Sequence, residues 1–287
     1  MFAVFSATIL GMLLQVTDTG AVVLLGLLAS ILTGAMTVTA VLGGFANPSV
    51  WLIVSAFLFS HAVAATGLGQ RVAFLFIRAF GHQTLALGYA LAASELVIAP
   101  AVPANTARAG GILFPIITSI SRACGSFPEK SPRRLGAFLM LNQFHITIIL
   151  SAMFLTSMAA NPLIVDLAAK TAGIRISWAA WAAAALFPGL LSLISVPWVL
   201  YRVYPPEMVE SPEASAEARR RLTELGPMKR AEIALAVIVG CCLLLWVTTG
   251  VHRLDATTVA LLGVAAMLLA GVITWKEVLQ ASGAWDA

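Results

Sequence analysis

Pro100-Ala101-Val102-Pro103-Ala104-Asn105-Thr106-Ala107-Arg108-Ala109-Gly110-Gly111 lies between two apolar runs, Leu85 to Ala99 and Ile112 to Ile120. As a helix, the arm from Leu87 to Ala99 would measure about 20 Å at 1.5 Å per residue. That is short of the ~30 Å hydrocarbon core of a bilayer. Pro100 and Pro103 have no N–H to donate and break the arm. Asn105 or Thr106 then supplies an N-cap for the second arm. The spacing predicts a re-entrant helical hairpin over 83–125 with its tip at mid-membrane. Open backbone is tolerated there only where it lines protein or a water-filled cavity. The same residues also fit an outer turn between two ordinary crossing helices, with Arg108 in water. Both pictures return the chain to the same face.

In the hairpin picture the second arm aims its free N–H groups and positive dipole end into the cavity, which makes an anion site. Asn105 and Thr106 add donors and acceptors, and Gly110 and Gly111 allow a close approach. Arg108 costs about 2.5–3.5 kcal/mol at the centre of a membrane helix. It also sits in the first helical turn, where the dipole disfavours a cation. It therefore needs an anion, either a carboxylate ligand or Glu95. Glu95 reads better as a structural partner than as a substrate ligand. A second break lies at Thr156-Ser157-Met158-Ala159-Ala160-Asn161-Pro162. Two interrupted segments in one membrane chain point to a transporter substrate site. The expected substrate-binding residues are Asn105, Thr106, Arg108, Thr156 and Asn161.

The rest of the 287 residues supports a membrane setting. Apolar types make up 60% of the chain, charged types only 10%, and mean hydropathy is +0.95. Soluble domains carry about 25% charged residues, so a soluble enzyme, a nucleic-acid binder and a disordered chain are excluded. The three cysteines give no disulfide framework and read as small apolar filler. No basic leader segment follows Met1. The net charge of +4 reflects loop placement rather than a nucleic-acid partner.

Apolar runs at Phe2–Val16, Gly20–Leu42, Trp51–Gly67, Leu135–Val165, Ile176–Tyr201, Ile233–Gly250 and Ala256–Trp275 predict crossings. Trp178 and Trp181 would form an interfacial belt at one end of their span, and Trp198 at the other. Pro188 and Pro197 read as plain kinks. Runs of this length predict an all-α, multi-pass integral membrane protein rather than a barrel. His61 and His145 read as hydrogen-bonded core histidines. The segment 202–232 holds a concentration of charge and reads as a solvated cytoplasmic connector with a short surface helix. If 68–82 faces inward, Arg71, Arg78, Arg122, Lys130, Arg133, Arg134, Arg202, Arg219, Arg220, Arg221, Lys229, Arg230 and Lys276 lie inside. Lys170, Arg175 and Arg253 lie outside, and Arg108 fits neither side. The asymmetry follows the positive-inside rule.

Pro103-Ala104-Asn105-Thr106-Ala107-Arg108-Ala109-Gly110-Gly111, followed by Phe114-Pro115, resembles the hairpin signature of the divalent anion/sodium symporter (DASS) family. It is most similar to the branch of citrate/succinate antiporters and 2-oxoglutarate/malate translocators. The likeness continues through Phe154-Leu155-Thr156, Ala159-Ala160-Asn161-Pro162-Leu163, Gly173-Ile174-Arg175-Ile176-Ser177-Trp178, Trp275-Lys276 and Ala284-Trp285. The resemblance implies a homodimer in which a transport domain moves like an elevator against a scaffold. It also implies that substrate carboxylates meet Ser-Asn-Thr motifs at two opposed hairpin tips. Asn105 and Thr106 match the first motif, but Ala104 stands at the serine position. Pro100 stands where sodium-coupled members place another serine. These departures weigh against a sodium ion near Asn105 and Ala160 and toward anion exchange, with no other cofactor expected.

On this reading 1–82 are scaffold helices, 83–125 the hairpin, and 126–201 a broken helix and the following span of the transport domain. A cytoplasmic loop fills 202–232, and 233–287 open the scaffold of a second repeat. Asn-Thr occurs once, and the chain stops at Trp285-Asp286-Ala287, so it reads as the first half of an inverted-repeat transporter, also short of one initial crossing. The expected function is exchange of di- or tricarboxylates of the malate, 2-oxoglutarate, succinate and citrate class across a bilayer. A bacterial inner (plasma) membrane is favoured over a plastid inner envelope. Sodium-coupled symport, a non-transporting membrane fragment and a membrane-embedded enzyme are the alternatives; no acidic pair or His-Glu-x-x-His stretch within a span supports the last.

Overall fold

A computed structural model describes residues 1–285; the chain's last two residues, on which the reading of its end partly falls, lie outside it. The helices are α1 (Phe2–Leu13), α2 (Thr19–Leu32), α3 (Val38–Leu42), α4 (Pro48–Thr66), α5 (Leu68–Phe80), α6 (Thr84–Ile98), α7 (Phe114–Ala123) and α8 (Gly136–Met153). They continue as α9 (Ala160–Ala172), α10 (Trp178–Val203), α11 (Pro212–Leu225), α12 (Arg230–Val247), α13 (Thr249–His252), α14 (Ala256–Leu269), α15 (Trp275–Gln280) and α16 (Ser282–Trp285). Five are long and apolar enough to cross a membrane: α4, α6 with its 3-10 extension to Ala101, α8, α10 and α12. The chain is an all-helical, multi-pass membrane protein.

Two spans differ from expectation. The run Gly20–Leu42 is divided, because α2 ends at Leu32 and the chain turns through Gly34 at φ +68° before α3. The first hairpin arm is longer than Leu87–Ala99. It begins at Thr84, whose N–H donates to Val209 O (3.0 Å) and whose hydroxyl donates to Met208 O (2.6 Å). Pro100 extends it by a 3-10 turn, Ala99–Ala101, instead of ending it. The resulting 18 residues correspond to about 27 Å. Val102, extended at φ −127° and ψ 92°, is where the chain leaves the helix, as a residue before proline must.

Trp178 is no belt residue. It is buried, stacked between Phe154 and Trp246 with ring centroids 5.9 Å apart on each side. Trp198 does stay exposed at the far end of α10, under the Arg202 guanidinium. The 26-residue helix α10 runs without interruption through Pro188 and Pro197.

The segment 202–232 is more than a solvated connector. Within it α11 packs on α5 and α7 and buries Ala214, Ser215 and Ala218. Ser211 and Ser215 donate to Gly81 O (2.9 Å) and Ile77 O (3.2 Å). Arg71 on α5 pairs with Glu232 at the start of α12 at 2.5 Å, both buried, and also donates to Gly226 O. Gly67, at φ +81°, makes the left-handed turn that swings α5 away from α4.

The charge partition maps onto two ends of the bundle. Thr257 bonds Pro48 O and Trp246 bonds Ala256 O, which brings the starts of α4 and α14 beside the end of α12. The Trp178–Trp246 stack adds the start of α10. Arg175 and Arg253 are at that end. At the other, Glu207 and Met208 N–H groups bond Arg133 O and Arg134 O, beside α5 and α11.

Candidate functional site

The connection that the sequence reads as a hairpin tip runs from Ala99 to Asn105, and the stretch after it, Thr106–Leu113, is π-helical and leads into α7. Helix ends leave carbonyls without partners, and Pro103 cannot serve the Ala99 carbonyl. Val102 N–H reaches Ala99 O at 3.3 Å, and the break between α8 and α9 supplies further donors. Ser157 Oγ donates to Ala99 O at 3.1 Å, and Thr156 Oγ donates to Pro100 O at 2.7 Å. Trp178 Nε1 donates to Thr156 in turn at 3.2 Å. Asn161 Nδ2 donates to Ser151 O (2.8 Å) and Phe154 O (3.0 Å), holding the break itself. The two interruptions read from the sequence therefore meet, each satisfying backbone that the other leaves open.

Arg108 is fully buried. Of its two expected anions the structure supplies Glu95, with Nε 2.6 Å from Oε1 and neither side chain exposed. Its Nη1 donates to Val102 O (2.6 Å) and Ser157 O (3.1 Å). Its Nη2 donates to Asn105 Oδ1 (3.2 Å), Ser151 Oγ (3.2 Å) and Thr147 O (3.5 Å). Glu95 also accepts from Thr147 Oγ at 2.9 Å and from Gln143 Nε2. Every donor of the guanidinium is used inside the protein, which is how a membrane-buried charge is tolerated.

Asn105 is not the side-chain N-cap that the sequence suggests. Its Oδ1 faces two donors, Arg108 Nη2 and the Ser151 hydroxyl at 2.7 Å. Its Nδ2 makes no hydrogen bond among the described residues, and Thr106 beside it is exposed. Gly110 and Gly111 have no close backbone neighbour among the described residues. A Cβ on Gly111 would meet nothing within 4 Å, so the face Thr106, Gly110 and Gly111 is open. Tight glycines lie elsewhere, among them Gly263, where a Cβ would lie 2.4 Å from the Phe59 ring, and Gly189, where it would lie 2.6 Å from Met153. His145 does find a partner, Leu141 O at 2.7 Å, whereas buried His61 Nε2 has none.

Of the five expected site residues, Asn105 and Thr106 thus present groups to open space, whereas Arg108, Thr156 and Asn161 hold the frame. Gln143, Thr147 and Ser151 were not anticipated. They recur every fourth residue and so form one polar stripe on an apolar helix, α8, which is the signal that marks them.

The description "Sodium:sulfate symporter transmembrane region" belongs to a family model that matches residues 1–287. The chain belongs to the sodium:sulfate symporter family. This is the DASS family that the hairpin residues resemble. Among curated relatives, a protein of Bacillus subtilis named as a candidate malate transporter is 46% identical over 287 residues, covering 100% of this chain and 60% of that protein. Dicarboxylate transporter 1 of the Spinacia oleracea chloroplast is 47% identical, covering 100% of this chain and 50% of its own length. An inner membrane protein of Escherichia coli is 41% identical over 292 residues, with 100% and 61% covered. The chain thus spans 50–61% of these members of the sodium:sulfate symporter family. Family and relatives are transporters rather than enzymes, which sets the enzyme alternative aside.

Proposed function

We propose that this chain carries one hairpin half of the substrate path in a secondary active transporter that exchanges di- or tricarboxylates across a bacterial inner membrane. The observation that carries this reading is the setting of Asn105. Arg108 and Ser151 meet its carbonyl oxygen, so the amide turns its N–H pair toward the open face beside Thr106. Donors without acceptors suit a carboxylate. Oδ1, the atom a sodium ion would need, is already engaged by two donors, and a guanidinium carries positive charge beside it. The residues do not fit sodium at Asn105, which supports exchange over sodium-coupled symport. Arg108, Thr156 and Asn161 act as positioning residues. The names of the relatives agree with a dicarboxylate substrate. Elevator motion and homodimerisation follow the family resemblance.

The test is exchange of labelled malate in sodium-free liposomes, with this chain in its full-length context. Asn105→Ala should lower kcat/KM by about 10²-fold, the cost of a lost charge-assisted bond of ~3 kcal/mol. Ser151→Ala should raise KM by a smaller factor, because it only frees the amide to rotate. Undiminished exchange by Asn105→Ala, or a strict sodium requirement, overturns the reading.

A further inference from the structure

At the outer end of the bundle, a cavity of about 460 Å³ opens between the starts of α4, α10 and α14 and the broken helix. Its inner wall is Leu155, Pro162 and Trp178, and its rim carries Arg175, Arg253 and Asp255. Its size is that of small-molecule sites. Of the three outer cations, Lys170 is held by Asp166 at 2.7 Å. The guanidinium groups of Arg175 and Arg253 make no ion pair or hydrogen bond among the described residues, yet both line this one cavity. Asp255 answers only one of the two charges, and its oxygens already accept from Thr258 N–H (2.9 Å) and Thr258 Oγ (2.7 Å). Arg253 is also one of two non-glycine residues at positive φ, +59°. That is the left-handed C-cap of α13, closed by the Arg253 N–H on Thr249 O at 2.9 Å, and it fixes the residue at the cavity mouth.

From these observations we infer that the outer cavity is a second anion site, separate from the hairpin tip, which captures small polyvalent carboxylates through Arg175 and Arg253. Planar guanidinium forks pair with carboxylates two bonds at a time, and a concave basic surface concentrates anions ahead of a path that begins behind it. Neither Asn105 nor Thr106 lines this cavity, so the site stands independently of the hairpin reading. The wall it shares with the hairpin is indirect: Trp178 bonds Thr156, and Thr156 bonds the tip at Pro100.

The experiment is a citrate titration of the melting temperature of the protein, with this chain in its full-length context, in neutral detergent at low ionic strength. Wild type should show a saturable rise. Arg175→Gln with Arg253→Gly should weaken the apparent Kd at least about tenfold, whereas Asn105→Ala should keep the outer response. Arg253→Gly alone separates binding from folding. Glycine accepts the left-handed backbone, so this variant should melt no lower than wild type without citrate and still bind citrate less tightly. An unchanged citrate midpoint in the double variant, or no saturable response in wild type, overturns the inference. A response lost in Asn105→Ala and kept in the double variant assigns citrate to the hairpin and removes the outer site.

Discussion

Arg108 shows how one residue organises the tip. Its side chain bridges α6, the tip, the break and α8 through six acceptors, and removing it leaves Glu95 charged in an apolar interior. Breaking a buried pair by deleting one partner costs about 3–5 kcal/mol. Arg108→Ala and Glu95→Ala should each destabilise the chain by about that much in denaturant titration. The double replacement Glu95→Leu, Arg108→Met should recover most of the loss, since no charge is stranded. Single variants within 1 kcal/mol of wild type would show that the pair is not the anchor described. Arg108's need for an anion was legible from its place in an apolar run. Glu95 was legible as the better structural partner, but an external carboxylate satisfies the same electrostatic demand, and only packing separates the two. Thr156 and Asn161 stood out as helix-breaking residues, but the role of Thr156 as a donor to the other interruption depends on a contact 56 residues apart in sequence, whereas Asn161 holds its own break.

Among the elements, the long apolar helices and both interruptions were readable from hydropathy and proline placement. The length of the first arm was not, because Thr84 is drawn into the helix by bonds to residues 208 and 209 on a distant segment. The docking of α11 was hidden as well, since its buried face consists of the small residues Ala214, Ser215 and Ala218 amid charges. Glu217 ties α11 down. Arg220 at 2.6 Å, Ser119 at 3.0 Å and Arg221 at 2.9 Å surround its carboxylate and pull it down to about 2 from an ordinary 4.5. A lowered carboxyl stabilises the docked helix fully above about pH 4.5, and that contribution fades as pH falls toward about 2. Amide hydrogen exchange, corrected for intrinsic rates, should show α11 losing protection relative to α8 across that window. Glu217→Gln should abolish the pH dependence. An identical decline in the variant would place the acid sensitivity elsewhere.

At the scale of the whole molecule, charge and aromatic placement agree with one orientation. Basic residues gather around α5 and α11, and the Phe154–Trp178–Trp246 stack joins the broken helix to α12 near the opposite end. Trp178 was misread from sequence because a tryptophan at the start of a span has the same local signature whether it faces lipid headgroups or a neighbouring helix. The stretch Thr106–Leu113 lies against α6 and α8 on one side and leaves Thr106 and Gly111 open on the other. Under the proposed function, that open side is where a carboxylate and the opposing half of the transporter meet the tip. The most direct measurement is the accessibility of Thr106→Cys, in a full-length protein with Cys124, Cys241 and Cys242 changed to serine, to a membrane-impermeant maleimide. Modification is expected from one face only, slowed at least about tenfold by saturating malate. Rapid modification from the outer face that malate leaves unchanged would place Thr106 on a surface loop and contradict the carboxylate site.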